Sequence, residues 1–196
     1  RNAKDLAYIK VGHGIGAGLL INGQIYRGST GSAGEIGHLT IDEKGPICTC
    51  GNRGCLEALS GGGAIALQAK NAIKEKKNTQ LREISTKNIS AKDVVFAAQR
   101  GDLLAQQIME EAGEHLGVAL AGLINIFNPD MIIVGGGVAQ MGDILLEPIR
   151  KTVKERSLLS ATTNVRITTA LLGRRSSSMG AVAQALSIAI HMIAEK

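Results

Sequence analysis

The sequence predicts an α/β fold, and two observations support that prediction. Short apolar segments with strand character alternate along the chain with longer segments of helical periodicity, an order typical of α/β proteins. One predicted strand, residues 131–134 (MIIV), is continuously apolar, as expected for a strand buried on both faces of a parallel sheet. The 25 glycines among 196 residues follow no three-residue period, so they indicate turns and not a collagen-like chain.

The N-terminal part of the chain is predicted to begin with strands and a hairpin. The first strand is predicted over Leu6–Val11. Asn22-Gly23 is a dipeptide typical of two-residue hairpin turns, so residues 19–21 and Gln24–Tyr26 are predicted to pair. Residues 27–55 are rich in Gly, Ser and Cys and show little periodicity, which indicates a functional loop region.

Helical periodicity dominates the rest of the chain. The longest predicted helix opens at Asp102 and runs to about Asn128, which precedes a proline. Its second half is apolar on nearly every side, so we expect it to be deeply buried. Ser90 is another favourable N-cap, with Asp93 in the first turn of the helix that follows. The other predicted elements are helices over residues 64–77, 144–156 and 178–194 and a strand over residues 165–171.

Composition excludes several classes of function. The chain has two Tyr, two Phe and no Trp, which is too few for a platform that stacks single-stranded nucleic acid. The longest nearly apolar run, residues 116–127, is shorter than the roughly 20 residues that span a bilayer. No signal peptide is visible at the N-terminus. We therefore predict a cytoplasmic protein without a membrane partner.

The cysteines predict a metal site. All three lie between positions 48 and 55, and an odd, tightly clustered set argues against a disulfide framework. Thiolates from Cys48, Cys50 and Cys55 need a fourth ligand to close a tetrahedral site, and His38 lies a short distance upstream. Zinc with three cysteines and one histidine has no open coordination position and would be structural. The alternative is three thiols without a metal.

Two segments of the loop region carry a resemblance to a known family. Residues 35–38 (EIGH) and 48–57 (CTCGNRGCLE) together resemble the signature of the ROK family, named for repressors, open reading frames and kinases. Residues 11–18 and 134–138 resemble the glycine motifs of that family and occur in the same order. The combined signature is highly specific, whereas the glycine runs alone are weak. The resemblance covers nearly the whole chain.

The resemblance implies an actin- and hexokinase-like fold, of the ribonuclease H-like type, with two lobes around a sugar cleft. We expect residues 1–196 to be a single C-terminal ROK domain, mainly the C-terminal lobe with a zinc-bearing loop. Because the chain begins with Arg1 and not Met, we expect a fragment without the N-terminal lobe or any helix-turn-helix. The resemblance implies structural Zn²⁺ on His38, Cys48, Cys50 and Cys55. It implies sugar-hydroxyl contacts from Glu35, His38 and Glu57.

The resemblance also bears on catalysis. Kinases of the family carry a catalytic Asp after a strand of the N-terminal lobe, and Asp5 lies before the first strand, so we assign this chain no catalytic residue. His13 stands where the kinases usually have Thr, and its imidazole would crowd a phosphate. Alternatively, His13 is a harmless variant or a protonated donor to phosphate. The glycine motifs imply nucleotide contacts at Gly12, Gly14, Gly135 and Gly136. The run at 135–137 is equally consistent with a tight turn.

Three functions remain open. The first, which His13 favours, is the sugar-sensing effector and oligomerisation domain of a ROK transcriptional regulator. It would bind a sugar or sugar phosphate, form a homodimer or tetramer, and contact DNA only through a domain outside this chain. The second is the C-terminal half of an ATP-dependent sugar kinase, of glucokinase or N-acetylmannosamine kinase type. The third is a zinc-stabilised scaffold that has lost ligand binding.

Overall fold

Five strands form one mixed sheet in the computed structural model, which describes residues 3–84 and 88–194. The strands are β1 (Leu6–Val11), β2 (Ile15–Ile21), β3 (Gln24–Tyr26), β4 (Met131–Gly135) and β5 (Arg166–Thr169). Their order in the sheet is β3-β2-β1-β4-β5. The first three strands pair antiparallel, whereas β4 runs parallel to both β1 and β5. The parallel pairs and the helices between them confirm the α/β prediction.

The turn between β2 and β3 is the predicted hairpin. Asn22 and Gly23 both have positive φ angles, of 52° and 78°, as a type I′ turn requires. Strand β2 begins at Ile15, earlier than predicted, because Gly16 and Gly18 keep an extended backbone and pair with β1. Glycine is uncommon in strands, so the sequence pattern concealed this half of β2.

Seven α-helices accompany the sheet in the described part of the chain. They are α1 (Leu56–Ser60), α2 (Gly62–Lys74), α3 (Ala91–Gln99), α4 (Leu103–Phe127), α5 (Asp143–Arg156), α6 (Leu159–Thr162) and α7 (Ser176–Ala194). Ser90 and Asp93 form a capping box at the start of α3, and Asn128 ends α4 in a left-handed conformation. Helices α1 and α6 escape prediction because four or five residues show no helical period.

The central part of α4 packs against α5 at a distance that only glycine allows. A Cβ atom on Gly113 would lie 2.8 Å from Cβ of Pro148, and one on Gly117 would lie 2.5 Å from Cβ of Thr152. Leu116, on the same helix, is fully buried, as predicted. Ile126 is 89% exposed, so the prediction of deep burial is wrong for the C-terminal end of α4. The two glycines, one helical turn apart, form a flat surface on which the backbone of α5 lies.

Asp102 caps α4 and joins it to the segment before α3. Its Oδ1 accepts a hydrogen bond from the Ala105 N–H at 2.9 Å, and its Oδ2 accepts from the Thr79 hydroxyl at 2.8 Å and the Gln80 N–H at 2.6 Å. Burial alone would raise the pKa of this carboxyl group. The hydrogen-bond donors outweigh burial and hold the pKa below its ordinary value.

We expect Asp102→Ala to lower the free energy of unfolding at pH 7 by about 2–3 kcal/mol, because a helix cap is lost and buried donors lose their acceptor. Since the folded-state pKa is depressed, the charge-dependent part of the wild-type advantage is fully present above about pH 4 and is lost as pH falls through the folded-state pKa. Urea unfolding at pH 7 and at pH 2–3 measures both effects. Asp143→Ala, at the exposed start of α5, is the control. Equal stability of Asp102→Ala and wild type at pH 7 would contradict the prediction.

The last helix, α7, packs against little of the described chain. Its apolar side chains are widely exposed, with 59% for Leu186, 64% for Ile190 and 74% for Ile193. By length and composition α7 would be able to cross a bilayer, although core helices of soluble proteins meet the same criterion. The prediction of no membrane partner rests on a shorter apolar run and overlooks this helix. An uncovered apolar helix face is typical of an interaction surface.

Candidate functional site

The four predicted metal ligands come together in the loop between β3 and α1. His38, Cys48, Cys50 and Cys55 each offer one ligand atom, and all of these atoms lie within 4.8 Å of one another. Nδ1 of His38 is 3.7 Å from Sγ of Cys48, and the Sγ atoms of Cys50 and Cys55 are also 3.7 Å apart. A tetrahedron with zinc–sulfur bonds of about 2.3 Å has edges of about 3.7 Å, so the spacing fits Zn²⁺.

Glycines shape the loop between the ligands. Gly51 has φ +94°, and its N–H donates to the Cys48 carbonyl at 3.0 Å, which closes a turn between two of the cysteines. Gly54 has φ +67° and lies so close to the Asp42 carbonyl that a Cβ atom would collide with it. These turns bring Cys55 back towards Cys48, and both thiols are buried.

The buried thiols differ in acidity. The N–H of Cys50 donates to the Cys48 sulfur and lowers the pKa of that thiol to about 7, with His38 acting in the same direction. Burial raises the pKa of the Cys55 thiol to about 12, and the nearby Cys50 sulfur adds to the shift. A metal must displace these protons, so we expect binding to strengthen as pH rises.

Glu35 lies beside the outer nitrogen of His38. Its Oε2 is 3.9 Å from Nε2 of His38, while Nδ1 of the same ring faces the thiols. A carboxylate next to the free nitrogen of a metal-binding imidazole orients the ring in many metal sites. The Glu35 side chain is 65% exposed, so its oxygens remain accessible to a ligand from solvent.

Glu57, the other predicted sugar-binding carboxylate, lies in the first turn of α1. Its Oε2 accepts a hydrogen bond from the Ile15 N–H at 2.9 Å. The carboxylate occupies the place where a Cβ atom of Gly14 would lie. It also lines a cavity of about 300 Å³, the loop cavity, together with Cys48 and Thr49. Glu35 is not among the residues that line this cavity.

A second cavity, of about 540 Å³, lies in front of the β1–β2 turn. We call it the basic cavity because His13, Lys70 and Lys92 line it and, among the described residues, no acidic one does. His13 and Gly63 line both cavities, and Cε1 of His13 lies 3.6 Å from where a Cβ atom of Gly63 would be. The imidazole therefore stands between the two cavities, at the start of α2.

The predicted nucleotide-binding glycines fall in different surroundings. Gly12 lines the basic cavity, whereas Gly14 faces Glu57. Gly135 and Gly136 line a smaller cavity of about 170 Å³. A Cβ atom on either would collide, at Gly135 with the Tyr8 hydroxyl and at Gly136 with the Val11 carbonyl. Close packing within the sheet therefore explains these two glycines, and nucleotide contact there stays a prediction.

Comparison with known proteins decides the family. The ROK family model matches residues 1–188. This chain belongs to the ROK family. Its mixed sheet and helices accordingly form the actin- and hexokinase-like fold of ROK proteins. The His/Cys₃ cluster lies in the residues that carry the family signature.

Individual ROK relatives include both repressors and kinases. The xylose repressor of Caldicellulosiruptor bescii is 35% identical over 186 residues, which cover 93% of this chain and 46% of the repressor. The glucokinase of Halalkalibacterium halodurans is 38% identical over 181 residues, 91% of this chain and 55% of the enzyme. A solved ROK transcriptional regulator, a homologue of the Escherichia coli MLC protein, superposes with a TM-score of 0.80 and 35% identity. That match covers 85% of this chain and 41% of the regulator. The chain thus spans about half the length of these relatives.

Several residues of the site were not found from the sequence of this ROK protein. Lys70 and Lys92 lie on separate helices, and nothing in their local pattern indicates that they face one cavity. Ile15 meets Glu57 across 42 positions of the chain, which no short motif reveals. The available signal for the Ile15 contact was the alternation of apolar residues in β2. This alternation predicts that the Ile15 side chain points into the core and that its N–H lies beside the turn.

Proposed function

We propose that the chain is the C-terminal part of a longer ROK protein. The N-terminal lobe and any helix-turn-helix would belong to other parts of that protein. Two observations support the proposal. The chain spans about half the length of the relatives compared above. Helix α7 leaves apolar side chains such as Leu186 and Ile193 uncovered, and burial against a further lobe would remove them from water.

Within that protein we propose that the chain is the sugar-sensing, zinc-stabilised effector and oligomerisation domain of a cytoplasmic transcriptional regulator. The observation that carries this proposal is His13. Its imidazole stands between the loop cavity and the basic cavity, where it would separate a sugar beside Glu57 from an anion beside Lys70. A phosphoryl group would have to pass that imidazole to reach the sugar.

The ligand class follows from the chemistry of the loop. Carboxylates at Glu35 and Glu57 accept hydrogen bonds from sugar hydroxyls, and Nε2 of His38 adds a further polar contact. Zn²⁺ on the four clustered ligands would fix the loop that carries these groups, without taking part in any reaction. Repression would respond when a bound sugar changes the domain's preferred arrangement in a homodimer or tetramer. Exposed apolar residues at one end of α4 and α6, Ile126 and Leu159, offer an area for such contacts.

The second candidate function is the C-terminal half of an ATP-dependent sugar kinase. The basic cavity favours it, because about 540 Å³ lined by cationic and apolar side chains suits a nucleotide. The glucokinase relative at 38% identity points the same way. In this alternative His13 would donate to a phosphate and not obstruct it.

We expect Glu35→Gln to weaken sugar binding at least tenfold in the natural protein that contains this chain. Replacing the carboxylate removes a charged hydrogen-bond acceptor that contributes about 1.5–3 kcal/mol. Isothermal titration calorimetry with xylose and with glucose measures the change. Incubation of the same protein with sugar, ATP and Mg²⁺ tests for sugar phosphate, and the regulator proposal expects none.

Glu43→Gln is the matched control, since Glu43 is an exposed acid of the same loop. An unchanged dissociation constant for Glu35→Gln would remove Glu35 from the sugar site. Phosphorylation at an ordinary enzyme rate would overturn the regulator proposal in favour of the kinase. Absence of binding by either sugar class, in a protein that is folded and loaded with zinc, would favour the scaffold alternative.

A further inference from the structure

The backbone of Ile15 is contacted from two sides, by the first turn of α1 and by the loop that carries His38. Its N–H donates to Oε2 of Glu57 at 2.9 Å. Its carbonyl lies so close to Gly37 that a Cβ atom there would collide with it. The Ile15 side chain is 4% exposed, so the residue has little freedom to move away. Helix α1 and the loop before it therefore both restrain the first residue of β2.

Glu57 is tied directly to the metal ligands. It lies two residues after Cys55, which is the N-cap of α1. The N–H of Leu56 donates to the carbonyl of Leu39 at 2.9 Å, next to the ligand His38. The start of α1 is thus linked through the chain to Cys55 and through a hydrogen bond to Leu39, the residue after His38. A shift of the cluster would therefore move the Glu57 carboxylate.

On its other side, Ile15 adjoins the turn that carries His13. The N–H of Gly12 donates to the Gly14 carbonyl at 2.9 Å, and the N–H of Gly62 donates to the Gly12 carbonyl at 2.8 Å. The missing Cβ of Gly14 leaves the space that the Glu57 carboxylate occupies. The turn therefore rests on Glu57 and on the start of α2, and it presents His13 to the basic cavity.

We propose that Glu57 is a positioning residue that transmits the occupancy of the His/Cys₃ cluster to the β1–β2 turn and so to the basic cavity. The inference rests on the zinc part of the proposed function, but it needs neither the sugar nor DNA. With the metal bound, the start of α1 is fixed and Oε2 of Glu57 holds the Ile15 N–H. Without the metal, that anchor loosens and the turn with His13 opens more often.

Glu57 has a second oxygen for a ligand. Within residues 3–84 and 88–194, Oε1 of Glu57 has no hydrogen-bond partner, and the residue lines the loop cavity. A sugar hydroxyl that donates to Oε1 would restrain the same carboxylate that holds Ile15. Sugar binding and metal binding would then act on the turn in the same direction.

Hydrogen exchange of individual backbone amides tests the proposal on the zinc-loaded and the zinc-stripped chain. Zinc is the only added probe, and NMR reads the amide of Ile15 together with reference amides of β4. We expect removal of zinc to speed exchange at Ile15 at least tenfold while the β4 amides change less than twofold. In Glu57→Ala, Ile15 should exchange fast with and without zinc, so that the zinc effect falls below twofold. One zinc per chain should remain in this variant.

Two more variants separate transmission from general damage. In Glu57→Gln the amide oxygen still accepts from the Ile15 N–H, so most of the zinc effect should return. Gly14→Ala places a methyl group in the space of the Glu57 carboxylate. It perturbs the contact between Glu57 and Ile15 from the side of the β1–β2 turn, so it should also abolish the zinc effect. Glu43→Ala, in the same loop, should behave like wild type.

Three results would overturn the proposal. The first is no zinc effect at Ile15 in the wild-type chain. The second is a tenfold zinc effect that survives in Glu57→Ala. The third applies to the case in which zinc removal also unfolds β4. In that case the proposal fails if the Ile15 amide of zinc-loaded Glu57→Ala exchanges as slowly as that of the zinc-loaded wild type. Because no sugar is used, a negative result in this experiment would not contradict the proposed sugar response, which the Glu35→Gln titration tests separately.

Discussion

Replacing Cys55 by Ala is expected to remove stoichiometric metal binding and to lower the melting temperature by about 10 °C. The thiol is fully buried and completes the group of four ligand atoms. A metal present at 1,000 times its dissociation constant stabilises the folded chain by about 4 kcal/mol, and 1 kcal/mol corresponds to about 2–4 °C for a domain of this size. The sheet and the α4–α5 core lie outside the loop, so the variant should stay folded. Metal analysis and calorimetry of the reduced protein measure the two effects.

Asn52→Ala is the control for this experiment, because Asn52 is exposed and lies between the cysteine ligands. It should retain one metal ion per chain and melt close to wild type. Raising the pH from 6 to 8 should tighten metal binding in wild type, since the thiol protons must leave. A folded, reduced wild-type chain without metal would disprove the zinc prediction itself.

The second large effect concerns the contact between α4 and α5. Gly117→Val should lower the free energy of unfolding by about 3 kcal/mol, because its side chain would meet Cβ of Thr152 and the carbonyl of Ile149. Gly117→Ala should also destabilise, although alanine favours helix formation by about 1 kcal/mol over glycine. Urea unfolding monitored by circular dichroism measures these changes.

Gly122 provides the matched comparison on the same helix. A Cβ atom at Gly122 would have no neighbour within 4 Å, so Gly122→Ala should stabilise the chain by about 0.5–1 kcal/mol. The two Gly→Ala substitutions are therefore expected to change stability with opposite sign. A stabilising effect at Gly117 would mean that α5 can move away from α4 without cost.

The cluster of candidate metal ligands could be predicted from the sequence because the spacing of the cysteines is itself the chemical signal. Cys48, Cys50 and Cys55 are close in the chain, and zinc chemistry supplies the requirement for a fourth ligand. The carboxylates that we propose for sugar binding depended on the resemblance, because an isolated acid in a glycine-rich loop is indistinguishable from a solvated turn residue. The contact of Glu57 with Ile15 lies beyond either kind of inference, since it depends on how β2 meets α1.

The glycines show where sequence reasoning fails. The run after β4 predicts either a nucleotide contact or a tight turn, and the sequence cannot separate the two. The structure adds a third reason, because Gly135 lies against Tyr8 and Gly136 against Val11. Likewise, the pattern of α7 predicts a helix correctly but not its exposure, which depends on what lies next to it in the assembled protein.

The pairing of β1 with β4 has a consequence for how the chain folds. The N–H groups of Lys4 and Asp5 donate to the Asp130 carboxylate, and in the case of Lys4 the contact spans 126 positions. The β1–β3 meander can form early, but the inner edge of β1 then stays open until residue 131 has been synthesised. Such long-range closure slows folding. The open edge of β1 is therefore the part of the nascent chain that we expect chaperones to protect.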